Sequence, residues 1–85
     1  MTALRLRKDY EVRTGRWQTL MVGSASTGVR VVYDITGECI RLYGNNGRSS
    51  DNYLDALPVK PDTWEAVAHA YFKSRKIESP WEVTP

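Results

Sequence analysis

His69 and Cys39 are the chain's only histidine and only cysteine. With Asp34 they are the residues from which a base, a nucleophile and an orienting carboxylate would be assembled. The spacing argues against that assembly. His69 falls on the polar side of a predicted helix, whereas Cys39 belongs to a predicted sheet, and nucleophile and base need hydrogen-bond reach of one another. No catalytic residue is assigned, and the chain is read as a non-enzyme. One Cys and one His also fall short of the four ligands of a structural zinc site. Asp51 and Asp55 are four apart and could hold a hard cation, but a solvated carboxylate pair in a short helix is the commoner meaning of that spacing. No metal and no cofactor are expected. Gly23 and Gly28 bracket four residues like the start of a phosphate-binding loop. Val29-Arg30 follows, however, where a Lys, a Ser or Thr and a helix are required.

The elements that position these side chains can be read from periodicity. In residues 4–13, Leu4, Leu6, Tyr10 and Val12 share one parity and Arg5, Arg7, Asp9, Glu11 and Arg13 the other, as in a half-buried strand; only Lys8 breaks the apolar side. Thr14-Gly15 offers a tight turn. Trp17, Thr19 and Met21 then continue the buried parity over about residues 16–22, with Val12 opposite Trp17 and Tyr10 opposite Thr19. A second hairpin runs through Val29, Val31, Tyr33 and Ile35, turns at Thr36-Gly37, and returns with Ile40 and Leu42 opposite Tyr33 and Val31. Gly44-Asn45-Asn46-Gly47 closes the region. Residues 51–57 read as a helical turn capped by Ser50. Asp62-Thr63-Trp64-Glu65 reads as a capping box with Asp62 at the N-cap and Glu65 at N3. Trp64, Val67, Ala68, Tyr71 and Phe72 then mark a helix face at i, i+3, i+4, i+7 and i+8. Ser79-Pro80 ends the helix, and residues 77–85 form a flexible or packed tail containing Trp81.

The expected architecture is therefore α+β: one domain over residues 1–85, a four-stranded antiparallel sheet made of two hairpins, and one C-terminal amphipathic helix packed on one face. Its core should join Tyr10, Val12, Trp17, Val31, Tyr33, Ile40 and Leu42 to Trp64, Val67, Ala68 and Tyr71. A hydrophobic content of 41% with 26% charged residues is that of a folded chain, so disorder is not expected. No run reaches the roughly 18 apolar residues of a membrane span, and residues 1–8 lack the apolar stretch of a signal peptide. A lone, unpaired Cys39 fits a reducing compartment, so the expected location is cytoplasmic.

Net charge is only +2 but unevenly placed. Residues 1–48 carry eight Arg or Lys against four Asp or Glu, while residues 49–85 carry four against six. In the two-hairpin register the outer face of the sheet collects Arg5, Arg7, Arg13, Arg16, Arg30 and Arg41, with Tyr43 beside Arg30. Asp9, Glu11 and Asp34 share that face. Guanidinium groups suit phosphates and carboxylates and stack on bases, whereas a solvated face of Arg–carboxylate pairs is the plainer meaning. Arg48 opens a polar stretch, Arg48-Ser-Ser-Asp-Asn-Tyr53, suited to contacts or to a simple connection. Trp81 either folds over the core edge or stands as an exposed anchor, Trp being a leading interface residue.

Val31-Val-Tyr-Asp34, the alternation to Leu42, Gly47, Tyr53 and Pro61-x-x-Trp64-Glu65 together resemble the KTSC domain family over less than half of the chain. The Ser/Cys start motif of that family is absent and the first hairpin has no counterpart, so no site residue carries over. A nucleic-acid role is what the resemblance implies. From the residues themselves, the first expectation is a small binding protein acting on a protein partner, as a regulator, adaptor or inhibitor of the kind phages and mobile elements encode. The alternative is a single-stranded RNA- or DNA-binding module using Arg5, Arg7, Arg13, Arg16, Arg30, Arg41, Tyr43 and Arg48. A homodimer formed through an open sheet edge is a third.

Overall fold

A computed structural model describes residues 3–24, 27–44 and 53–84. The chain runs β1 (Ala3–Leu6), β2 (Glu11–Thr14), β3 (Thr19–Gly23), β4 (Arg30–Asp34), β5 (Cys39–Tyr43), β6 (Tyr53–Pro58), α1 (Trp64–Ser74) and β7 (Trp81–Thr84). It is α+β with one helix, as expected, but the sheet arrangement differs. β2 to β6 form a five-stranded antiparallel meander in chain order, and β1 pairs with β7 in a separate two-stranded ribbon.

The second hairpin follows its alternation. Tyr33 pairs with Ile40 and Val31 with Leu42, and all four are almost wholly buried. Side chains of period two placed opposite one another put both apolar sets on one face. Helix α1 lies on that face, with Trp64, Ala68 and Phe72 buried in the same cluster. Trp64 stacks on Tyr33 with ring centroids 4.9 Å apart and meets Trp81 edge-on at 5.7 Å.

Four expectations are corrected. Residues 4–13 are not one strand: the Tyr10 N–H bonds the Arg7 carbonyl at 3.1 Å, so the chain turns at the point where Lys8 breaks the pattern. Residues 53–58 are a strand, not a helical turn, because Pro58 keeps Leu57 out of the helical region and tolerates the place of an edge strand. That strand makes the sheet five-stranded. The first hairpin is not closed by a two-residue turn; β2 ends at Thr14 and β3 begins at Thr19, which leaves residues 15–18 in the loop and Trp17 outside the core. Finally, residues 81–84 are no free tail but the partner of β1.

Both helix ends also depart from their signals. The N-cap is Thr63, not Asp62, and no side chain caps it. At the other end the Ile77 N–H bonds the Phe72 carbonyl and the Lys76 N–H the Lys73 carbonyl, a Schellman closure. Lys76 occupies its left-handed position at φ 58°. Lys76→Gly should therefore raise stability by about 1 kcal/mol, read as a higher urea midpoint with an unchanged slope.

Candidate functional site

The pattern-based surface divides into three places. Arg5 and Arg7 belong to the β1–β7 ribbon, not to the main sheet. The Arg5 Nε–H bonds Glu82 at 3.0 Å, and the Arg7 Nε–H donates to the Ser79 carbonyl at 2.9 Å. Those guanidinium groups tie β1 to β7 and to the segment that leads into it. Arg13, Arg30, Arg41 and Tyr43 do share the outer face of the five-stranded sheet, the side away from α1, while Arg16 sits in the hairpin loop. Arg48 lies outside the described residues.

Within the outer face, Arg30 and Tyr43 are direct cross-strand neighbours, as the register predicts, and the guanidinium carbon lies 4.4 Å from the ring centroid. Tyr53 pairs with Tyr43 across β5–β6, and their rings meet edge-on at 5.7 Å. Tyr53 is 56% exposed and Tyr43 half-buried; the sequence pattern puts Tyr53 in a polar stretch suited to contacts and not beside Tyr43 on the sheet. The signal for its place there was the extended bias that Pro58 imposes at the end of the same segment. Arg13 is paired with Glu11 at 2.8 Å. Asp34 accepts from the Thr36 hydroxyl and the Gly37 N–H, and those bonds hold its carboxyl below the usual range.

The chemical pairing of Cys39 with His69 does not form. Cys39 shares the outer face with Arg41 and Tyr43, whereas His69 lies on the helix that covers the inner face. His69 Nδ1 is 2.6 Å from Ser79 Oγ, which also accepts the Trp81 N–H at 3.2 Å. This chain of contacts pins the entry to β7. Trp81 is only 2% exposed, so it is a core residue and not an exposed anchor.

Burial first, then the charges of Lys73 and Arg7, hold the His69 imidazole below its ordinary value. The folded state thus refuses a proton that the unfolded chain takes near pH 6.5. Stability is complete above that pH and declines as pH falls below it. Glu82, held down by Arg5, and Asp34 lose their contributions only at lower pH, through their own depressed values. Urea midpoints at pH 7.5 and 5.5 should therefore differ, and His69→Gln should shrink the difference.

The first hairpin carries the feature that pattern reading placed wrongly. Gly15 donates its N–H to the Thr19 carbonyl at 2.8 Å, and a Cβ at Gly15 would collide with Thr19 Oγ1. That hydroxyl itself donates to the Arg16 carbonyl at 2.8 Å. Between these anchors Trp17 and Gln18 take φ of 60° and 55°, and Trp17 stands 86% exposed. Val12, at 55%, is the next large apolar side chain along the same hairpin.

Among the described residues no group of three or more His, Cys, Asp or Glu is arranged to hold a metal ion, and no helix is long and apolar enough to cross a membrane. Comparison with protein-family models, curated protein sequences and solved structures finds no match, so the KTSC resemblance gains no support.

Proposed function

We propose that this chain is a small non-enzymatic binding protein whose target is another protein, and that the β2–β3 hairpin presents the principal contact. The observation that carries this reading is Trp17. Its ring is almost fully exposed at a loop tip, on two successive left-handed residues, neither of them Gly or Asn. Each such residue costs on the order of 1–3 kcal/mol, and strain of this kind collects at functional positions. Tryptophan is also the side chain most enriched among interface residues that dominate binding energy. A regulator, adaptor or inhibitor of the cytoplasm fits the free Cys39. The test is affinity purification with the wild-type chain and with Trp17→Ala as baits, each with and without nuclease. A nuclease-resistant protein captured by the wild type and lost with the variant supports the reading. Equal capture by both baits, or nothing resistant to nuclease, overturns it.

A second reading has its own observation. Tyr53 beside Tyr43, with Arg30 and Arg41 on the same uncovered face, supplies the pair of aromatics that single-stranded nucleic acid uses for stacking. Arg5 and Arg7 no longer contribute, being paired in the ribbon. Binding of this kind would weaken with salt at a log–log slope of about −0.7 per phosphate contact. Arg30→Gln with Arg41→Gln should flatten the slope by roughly 1.4 on that scale. A fluorescence anisotropy titration with an oligonucleotide that shows no salt dependence ends this reading.

A further inference from the structure

The edge strand β2 is complementary to itself, and we propose that two copies of this chain pair β2 to β2 about a two-fold axis through Val12. β2 is one of the two outer strands of the meander, β6 being the other, and its four residues are all exposed. The Gly15 N–H bond to Thr19 fixes which backbone groups face β3. In an antiparallel ladder these alternate, so Arg13 and Glu11 also bond toward β3. The N–H and C=O of Val12 and Thr14 therefore point to the open side, where nothing among the described residues pairs with them.

An antiparallel partner keeps inner and outer faces continuous only if residues of the same parity lie opposite one another. Four registers centred within β2 meet that condition, and the one centred on Thr14 sets Thr14 against itself and Arg13 against Gly15, so it makes no opposite-charge pair. Centring on Glu11 sets carboxylate against carboxylate, and centring on Arg13 sets guanidinium against guanidinium; like charges directly opposite are destabilising. Centring on Val12 sets Glu11 against Arg13 of the second copy, twice, and lets the two Val12 residues exchange N–H···O=C bonds. It also covers a valine that α1 does not reach. The Glu11–Arg13 contact within one strand, with both side chains mostly exposed, gives way to two contacts across the axis. Natural edge strands are usually blunted by charge, proline or bulges. Here the charges select one partner, a second copy.

The result joins two five-stranded sheets into one. It leaves the two Trp17 loops pointing in opposite directions, about 30 Å apart at ~3.3 Å per residue. The inference does not depend on what Trp17 binds. A joint of four residues per copy is small, so the dimer should form reversibly and with rising concentration.

Sedimentation equilibrium of the full chain from about 10 μM to about 1 mM, the weak end of specific affinities, tests it. The expected result is a monomer–dimer equilibrium for the wild type, loss of dimer in Arg13→Glu, and its recovery in the exchanged pair Glu11→Arg with Arg13→Glu. Trp17→Ala should dimerise as the wild type does. Raising sodium chloride to about 1 M should weaken the wild-type dimer several-fold, since exposed pairs are screened; this arm needs no variant to fold. A wild type that stays monomeric throughout overturns the proposal. So does an Arg13→Glu chain that associates unchanged, an exchanged pair that folds but stays monomeric, or a dimer that disappears with Trp17.

Discussion

Trp81→Ala should be the most damaging single substitution in this chain, lowering stability by about 3–5 kcal/mol. The ring is 2% exposed and closes a stack that runs from Tyr33 through Trp64 to Trp81. Across the ribbon it faces Leu6. Removing it leaves a void that these rigid neighbours cannot fill, and the penalty grows with the volume left open. A chain of 85 residues has a total stability of roughly 4–13 kcal/mol at the usual per-residue value. The loss is therefore a large part of the whole. Thermal unfolding followed by circular dichroism should show a midpoint lower by on the order of 15–30 °C. A fall of only a few degrees would mean that the β1–β7 ribbon is dispensable to the core.

Trp17→Ala should do the opposite: leave the fold intact and remove binding. An 86% exposed side chain contributes little to stability, and surface changes of this kind stay within about 0.5 kcal/mol. If the hairpin is the contact, its tryptophan belongs to the class whose truncation costs about 2 kcal/mol or more, which is roughly a 30-fold loss of affinity. Trp17→Gly sharpens the contrast. Glycine takes positive φ without steric penalty, so this variant should gain stability while losing the partner just as completely. Calorimetric titration against the captured partner, beside a melting curve, reads both effects on one sample. Unchanged affinity in either variant would move the contact elsewhere on the surface.

The difference between these two tryptophans also shows what the sequence could convey. The second hairpin was legible residue by residue: the pairs Tyr33–Ile40, Val31–Leu42 and Arg30–Tyr43 follow from period two and a Thr-Gly turn. Val12 shares the inner face with buried Val22 but is 55% exposed, outside the expected core, and Met21, expected on the buried parity, pairs instead with Arg13 on the outer face. Whether a correct parity is buried depends on what lies above it. Helix α1 has eleven residues and packs over β5, and with side chains a helix is about 10–12 Å wide. β2 lies three strands away, about 14 Å at the usual spacing, so Val12 stays uncovered. Trp17 was lost for a different reason: a loop longer than the assumed turn lifted it out of register. β6 and β7 escaped notice because short mixed segments carry no decisive period, and the partner of β7 is the distant β1. Of the candidate site, the outer-face members Arg13, Arg30, Arg41 and Tyr43 were legible. Tyr53 was hidden behind the misread segment, and Arg5 and Arg7 were displaced by the turn at Lys8.

The β1–β7 ribbon has a consequence for the order in which the molecule assembles. Ala3 pairs with Thr84, so β1 waits for a partner that is synthesised much later. The meander and α1 need only neighbouring segments, and local contacts form before distant ones whose closure entropy must first be met. Leu4 and Leu6 therefore remain without cover on the ribosome until Trp81 emerges. Shortening the chain ahead of Trp81 would strand them, whereas linking residue 3 to residue 84 and opening the chain elsewhere should speed the final docking step.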